Sequence, residues 1–317
     1  AIGCDASQAG VLTSCNEAGP NGLAGRKTWD TTKDVEHISG ITIMNCHNPD
    51  KSCATGYVEI KNNLFYNLPS AFYFKQPGPG PVLVQGNTFY SSQRVGTWTI
   101  SNVIFERNLV YEMTRCDVAN TAWTPTSDPT YLYDGRNQTI RNNTFVDIDT
   151  IFQIRGSASN HTILNNVIYG LNGRIVSSSS GDPAYVIRAT TYGSIYPEPA
   201  NAAQSELTIG NNFNNNCFIT PYNDFRAITR KYWNGSTWKV DQYNLTKVRQ
   251  LFGFENDSQV IVETNKENVF ENPSVNDYRL KTGSVAATLC ANMGADIANI
   301  ITPPLSSQSQ TQSTSNT

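Results

Sequence analysis

Apolar and polar positions along this chain alternate in short blocks of one recurring form. An apolar residue, a polar or charged residue, a two-residue step ending in Asn, and a new apolar segment follow in order. The blocks are IKNNLF (Ile60–Phe65), VQGNTF (Val84–Phe89), FERNLV (Phe105–Val110), IRNNTF (Ile140–Phe145), ILNNVI (Ile163–Ile168) and IGNNFN (Ile209–Asn214). Their shared final Asn residues are Asn63, Asn87, Asn108, Asn143, Asn166 and Asn212, at steps of 24, 21, 35, 23 and 46. The step of 46 reads as two of 23, and the step of 35 as one that carries an insertion. A period in the low twenties with short β-branched and aromatic segments predicts a solenoid of strands, about 22–24 residues per coil. Each coil reads as apolar strand, tight turn, apolar strand and loop. Ile140 is expected inside, Asn143 at a corner, and Phe145 at the start of the next inward row. Stacked Asn side chains would bond their counterparts in adjacent coils, while the neighbouring residue adopts a turn conformation at low cost. A leucine-rich repeat would need Leu-x-x-Leu-x-Leu runs, and a helical repeat a 3.6-residue period. Neither is present.

Three segments break the pattern. Residues 114–130 form one insertion, and residues 177–205 a second with a strand-like AYVIRAT inside. The tail TPPLSSQSQTQSTSNT reads as a linker or flexible end. The expected organisation is an irregular or capping segment over residues 1–34, a solenoid over 35–300, and a Ser/Thr/Gln-rich tail over 301–317.

The repeat resembles the right-handed parallel β-helix family, best known from pectate-lyase-like proteins. NVFENPSVNDYRLKTGSVA (Asn268–Ala286) is similar to the closing coil of secreted bacterial members. There Phe, Asn-Pro, Asp-Tyr, Leu and a Gly-Ser-x-Ala follow in order, here with Val285 where Pro is commoner. YWNGSTW (Tyr232–Trp238) and the amphipathic LTKVRQLFG (Leu245–Gly253) fit the same closing segment. The resemblance runs from about Val35 to Asp296. It implies an all-β, single-stranded right-handed parallel β-helix. On activity it implies little, because the family holds lyases, hydrolases, epimerases, adhesins and phage fibres.

Composition narrows the setting. A net charge of −3 with 15% charged residues argues against nucleic acid as a partner. No apolar run approaches the ~18 residues of a membrane-spanning helix. No signal peptide opens at Ala1, so the chain reads as a mature one. Seven cysteines contain no CxxC pair, and with three histidines a zinc cluster is not expected. Cys4 with Cys15 and Cys46 with Cys53 are candidate short-loop disulfides, and Cys217 with Cys290 a weaker third, leaving Cys116. Buried free thiols are the alternative. Sequons stand at Asn137, Asn142, Asn160, Asn234, Asn244 and Asn256, and permit glycosylation. Together these features favour an extracellular, secreted or cell-surface protein.

Candidate chemistry lies between the Asn corners. AFYFK, TIFQIR and AYVIR end in Lys75, Arg155 and Arg188. Stacked in a solenoid, such positions would line a groove facing an acidic polysaccharide. The resemblance adds roles: family lyases neutralise a uronate carboxylate and remove its α-proton with a basic group. Lys75 and Arg155 are the candidates for that work. Trp98, Trp123, Tyr131 and Tyr133 are candidates to stack on sugar rings. Basic residues at strand ends also serve simply to keep a face soluble. A hydrolase would need paired carboxylates, and Asp147 and Asp149 share strand parity, about 7 Å apart. An ordinary polar coil edge explains them equally. His161 reads as a solvent-facing loop residue. No cofactor is expected, and a calcium ion held by the carboxylates is left open. The leading expectation is a structural or adhesive β-helix protein, self-associating end to end as a filament or fibre, or binding a cell-surface polysaccharide. The alternative is a polysaccharide lyase or glycoside hydrolase.

Overall fold

The computed structural model describes residues 57–68, 70–75, 81–92, 94–98, 101–112, 137–148, 150–155, 160–170, 185–190, 210–222, 225–233 and 236–300, and the earlier strands Ile2–Gly3, Asn16–Ala18, Ala24–Thr28 and Ser39–Met44. Three strands follow one another around most of the described coils. The first face stacks Val58–Lys61, Val82–Gln85, Val103–Glu106, Thr139–Arg141, Thr162–Leu164 and Asn212–Asn214, every neighbouring pair parallel. The second stacks Ile2–Gly3, Leu64–Tyr66, Thr88–Tyr90, Leu109–Tyr111, Thr144–Val146, Val167–Tyr169, Cys217–Thr220 and Gln259–Val262, also parallel. The third position of the coil holds two sheets. One joins Ser39–Met44, Ser70–Lys75 and Arg94–Trp98. The other joins Thr150–Arg155, Tyr185–Thr190 and Arg226–Trp233, and is closed by the antiparallel strand Trp238–Asn244. The architecture is an all-β parallel β-helix.

Sharp corners separate the faces, and residues with positive φ make them. Between first and second faces these are Asn62, Gly86, Arg107, Asn142, Asn165 and Asn215. Asn102, Asn137, Asn160 and Gly210 make the corner that leads into the first face. Asn tolerates the left-handed region at less cost than other residues with a Cβ, because its short amide bonds locally. Beside the first of these corners stands the amide ladder. The backbone N–H and Nδ2 of Asn63 both donate to Asn87 Oδ1, at 2.9 and 3.1 Å. The same pair of bonds runs from Asn87 to Asn108, Asn108 to Asn143, and Asn143 to Asn166. From Asn87 onward these side chains are fully buried, so each amide is satisfied without water.

The ladder's sixth member differs from expectation. Asn166 donates to Asn216, 50 residues on, rather than to Asn212. Asn212 lies exposed in the first-face strand opposite Thr162. The run Phe213-Asn214-Asn215-Asn216-Cys217 offers a second register, and it is the one that turns Phe213 inward in line with Ile163. A one-residue slip would expose the phenyl ring, so core burial selects the register. The interval is therefore one coil with a long excursion, not two coils. That excursion carries Tyr185–Thr190 into the third face. The insertion at 114–130 lies outside the described residues.

Phe65, Phe89 and Phe145 point inward from the second face and Phe105 from the first, and their rings meet in one core chain with successive centroids 4.9, 5.7 and 6.4 Å apart. All four are fully buried, and each such ring stabilises the fold by roughly 1.5–3 kcal/mol relative to exposure. At the C-terminal end, helix α1 (Leu245–Phe252) closes this core. Asn244 caps it by accepting from the Lys247 N–H at 3.0 Å, and Gly253 ends it at φ 69. Leu245 and Val248 are buried, and Phe254 packs on Phe213 with centroids 4.7 Å apart.

Asn268–Ala286 is not a closing coil. Phe270–Asn272 and Asp277–Leu280 pair as an antiparallel hairpin, followed by helix α2 (Val285–Leu289). The hairpin and α2 pack on the outer side of the second face, in one cluster with Leu109, Tyr111, Val146, Val167, Tyr169, Cys217 and Ile219. The reason is compositional. Those second-face strands are apolar on both sides, and a parallel sheet of that kind needs cover on both sides. Cys290, just after α2, is bonded to Cys217 in the second face, with Cα atoms 5.8 Å apart.

Candidate functional site

Outward side chains of the first face fall into two rows, one residue per coil. One row is Glu59, Leu83, Ile104, Thr139, Thr162 and Asn212. The other is Lys61, Gln85, Glu106, Arg141, Leu164 and Asn214. Each row member stands two or four positions before a ladder Asn, so the buried amides set the rows' register. Adjacent strands are about 4.8 Å apart, which makes this face a regular polar lattice.

Its charges are internally paired. Lys61 Nζ lies 2.8 Å from Glu59 Oε1. The Lys61 contact holds the Glu59 carboxyl below its usual range, and Glu59 in turn raises the Lys61 ammonium. Glu106 accepts from Gln85 Nε2 at 2.6 Å and from Arg141 Nε at 2.7 Å. Glu106 is nearly buried, with 11% of its side chain exposed, whereas Arg141 is open at 48%. At the far end, Asn214 Nδ2 donates to Asp257 Oδ2 at 2.7 Å. Exposed amides border the lattice on one side at Asn102, Asn137 and Asn160, with Asn137 Nδ2 donating to Asn102 Oδ1 at 3.2 Å. On the other side Asn215 Nδ2 donates to Asn165 Oδ1 at 2.6 Å. Half-exposed Leu83 and Ile104 supply an apolar middle.

The residues expected to act from their sequence pattern lie elsewhere. Lys75, Arg155 and Arg188 stand on third-position strands. The register aligns Arg155 with Thr190 and Lys231, and Arg188 with Gln153 and Thr229. Lys75, aligned with Met44, belongs to the other sheet of that position. Trp98 stands in the same third-position sheet, in register with Phe74. Asp147 sits at a corner with φ 51, outside both flanking strands. It forms an ion pair with Lys266 of the C-terminal segment. Asp149, Trp123, Tyr131, Tyr133, Asn234, Cys4, Cys15, Cys46, Cys53 and Cys116 lie outside the described residues. Of the other sequons, Asn137, Asn160 and Asn256 are exposed, whereas Asn142 and Asn244 are half-buried.

Two buried titratable groups were not anticipated in their positions. His161 is fully buried rather than solvent-facing, and burial pushes its imidazole down to about 3. It precedes Thr162-Ile163 at a corner, and its carbonyl accepts from the Asn212 N–H at 2.7 Å. Glu255 ends the amide ladder, accepting from Asn216 Nδ2 at 3.1 and 3.0 Å and from Ser258 Oγ. Burial pushes its carboxyl up to about 7, against the pull of Ser258, Asn216 and Arg249. Both serve the frame: His161 turns a corner, and Glu255 terminates a hydrogen-bond chain. Among the described residues, no three His, Cys, Asp or Glu side chains are placed to hold a metal ion, and no helix is long and apolar enough to cross a membrane.

Sequence reasoning passed over Glu59, Lys61, Gln85, Glu106 and Arg141. The signal for them was their fixed offset from the ladder Asn. A family model described as a right handed beta helix region matches residues 31–191. No curated protein and no solved structure matches the chain.

Proposed function

For a chain that belongs to the right-handed β-helix family, we propose an extracellular structural or adhesive role in which the first face holds a polysaccharide strand. One observation carries the reading: two outward rows keep coil-to-coil register across all six first-face strands. A linear polymer of sugar rings presents hydroxyl groups at a repeat of comparable length. Its binding is multivalent along the face, so many weak contacts add without a deep pocket. The second face is unsuited to the task, because the C-terminal hairpin and α2 cover it. The Cys217–Cys290 bond favours an oxidising compartment, in keeping with an extracellular site.

End-to-end assembly is not part of this reading. Helix α1 lies over the core at the C-terminal end, and Asp257 donates its N–H to Asn214 Oδ1 at 2.9 Å along the first-face edge. Edges covered in this way are poor templates for another subunit. Adhesion is therefore assigned to the lateral face. The test is retention of the purified chain on immobilised polysaccharides by affinity electrophoresis. Thr139→Ala with Thr162→Ala, on the outward central row, is expected to cut retention about tenfold, roughly 1.4 kcal/mol, while the melting temperature stays within a few degrees. Unchanged retention would remove the first face from consideration.

The lyase reading rests on two register rows of one sheet, Arg155 with Thr190 and Lys231, and Arg188 with Thr229. It is checked by incubating the protein with uronate polymers and following the ultraviolet absorbance of an unsaturated product. No product with pectin, alginate or chondroitin would dispose of it.

A further inference from the structure

We infer that the first face selects a neutral, hydroxyl-rich glycan and rejects polyanionic ones, because its own carboxylates neutralise its cations. This rests on the reading of that face as a polysaccharide site. It reverses the expectation of an acidic ligand, which came from basic residues on other strands.

The described charged groups of this face and its flanks are Lys61, Arg107 and Arg141 against Glu59, Glu106 and Asp257, a balance of three and three. Balance alone would not discriminate, since a polymer meets charges one at a time. The placement is what matters. Glu106 sits nearly buried beneath Arg141 and takes the guanidinium Nε at 2.7 Å. It also takes the Gln85 amide, so both carboxylate oxygens are engaged. A uronate approaching Arg141 would meet the field of Glu106 at close range. Glu59 pairs with Lys61 at 2.8 Å from the surface itself, with 43% of its side chain exposed. Like charges brought together in this way disfavour a polyanion along the face, and this is how an interface excludes a wrong partner.

What remains for recognition is neutral. Thr139 and Thr162 supply hydroxyls in the central row, and the amides of Asn102, Asn137 and Asn160 fringe it at one-coil intervals. Amides and hydroxyls donate and accept equally, which matches sugar hydroxyl groups. Leu83 and Ile104 offer an apolar strip suited to the C–H face of a pyranose ring.

The experiment uses the full chain with two immobilised probes, a neutral β-glucan and polygalacturonate, at low and at high salt. The wild type is expected on the glucan with little salt dependence, and at least about tenfold more weakly on polygalacturonate. The variant Glu59→Gln/Glu106→Gln leaves Lys61 and Arg141 unneutralised. It is expected to gain about tenfold in polygalacturonate retention at low salt, and to lose the gain at high salt. Wild-type retention on polygalacturonate equal to that on glucan would overturn the selectivity while leaving the face as a saccharide site. Retention on glucan with no gain in the variant would overturn the role of the carboxylates. No retention of the wild type on either probe would overturn the site itself. Circular dichroism confirms that the variant is folded. If it is not, Lys61→Gln/Arg141→Gln serves instead, and is expected to keep glucan retention within about twofold of wild type. A larger loss in that variant would show that the cations themselves recognise the polymer, and would overturn the proposal.

Discussion

At the scale of single residues, the buried amides do most to specify this molecule. Asn143 accepts two bonds from Asn108 and donates two to Asn166, and its Nδ2 also donates to the Phe105 carbonyl at 3.0 Å. Replacing Asn143 with Ala strands the donors of Asn108 away from water, while Asn166 Oδ1 keeps only the bond from the backbone N–H of residue 143. An unsatisfied buried group costs about 1–3 kcal/mol, so Asn143→Ala is expected to lose at least that much in a urea titration. A loss below about 0.5 kcal/mol would mean that the ladder is an ornament of the packing. Glu255 sets a pH dependence. Its carboxyl is raised in the folded state from an ordinary 4.5 to about 7. Stability from the protonated form is therefore fully present below about 4.5 and is lost as pH rises through 7. His161 acts with the opposite sign. Its folded value of about 3 lies below the usual 6.5, so its contribution holds above 6.5 and is lost as pH falls toward 3. The two windows overlap, so the opposing slopes offset and stability is expected to be highest and nearly flat between pH 4.5 and 6.5. Glu255→Gln should remove that offset, so that stability keeps rising up to pH 6.5, and leave the acid limb in place. Thermal melts across pH read the whole profile, and an unaltered plateau in the variant would discharge Glu255 from the role.

Among the elements, the segment after Gln259–Val262 shows how composition and topology trade off. Its hairpin and α2 form no coil, yet they bury a sheet face that would otherwise expose Leu109, Tyr111, Val146, Val167 and Tyr169. Aromatic contacts set the register of the cover, with Tyr278 on Tyr111 at 5.1 Å and Phe270 on Tyr169 at 5.4 Å. The Cys217–Cys290 bond spans 73 residues of sequence. A loop of that length corresponds to about 4 kcal/mol in the chain-entropy account. Cys290→Ala is expected to lower stability by up to that amount, and to raise binding of a hydrophobic dye as the cover loosens over the second face. Full dye exclusion with an unchanged melting temperature would show that the aromatic contacts suffice alone.

For the molecule as a whole, the design is directional. The C-terminal end is closed by α1, the Asp257 contacts and the antiparallel strand Trp238–Asn244. Lateral surfaces divide the labour: among the described residues, the second face is covered, and the first carries exposed and half-exposed side chains. Discrete particles rather than long filaments are therefore expected in negative stain of the purified protein. Regular filaments would return end-to-end assembly to the centre of its function.

The coil itself was legible in the linear chain. A repeating Asn flanked by inward apolar positions fixes strand, corner and core, because these depend on neighbours a few residues away. Asn63 through Asn166 and the inward rows that hold Ile140 and Phe145 follow from that local rule. Whatever depended on the length of an irregular coil did not follow. Asn216 rather than Asn212 completes the ladder, because the register is chosen by burying Phe213 and not by counting steps of 23. Arg141 meets Glu106 across 35 residues, and Cys217 meets Cys290 across 73. The sequence alone thus determined that this protein is a stack of coils with an amide seam. Only the tertiary structure decided which outward residues stand side by side, because stacking converts distances along the chain into adjacency only after every excursion has been looped out.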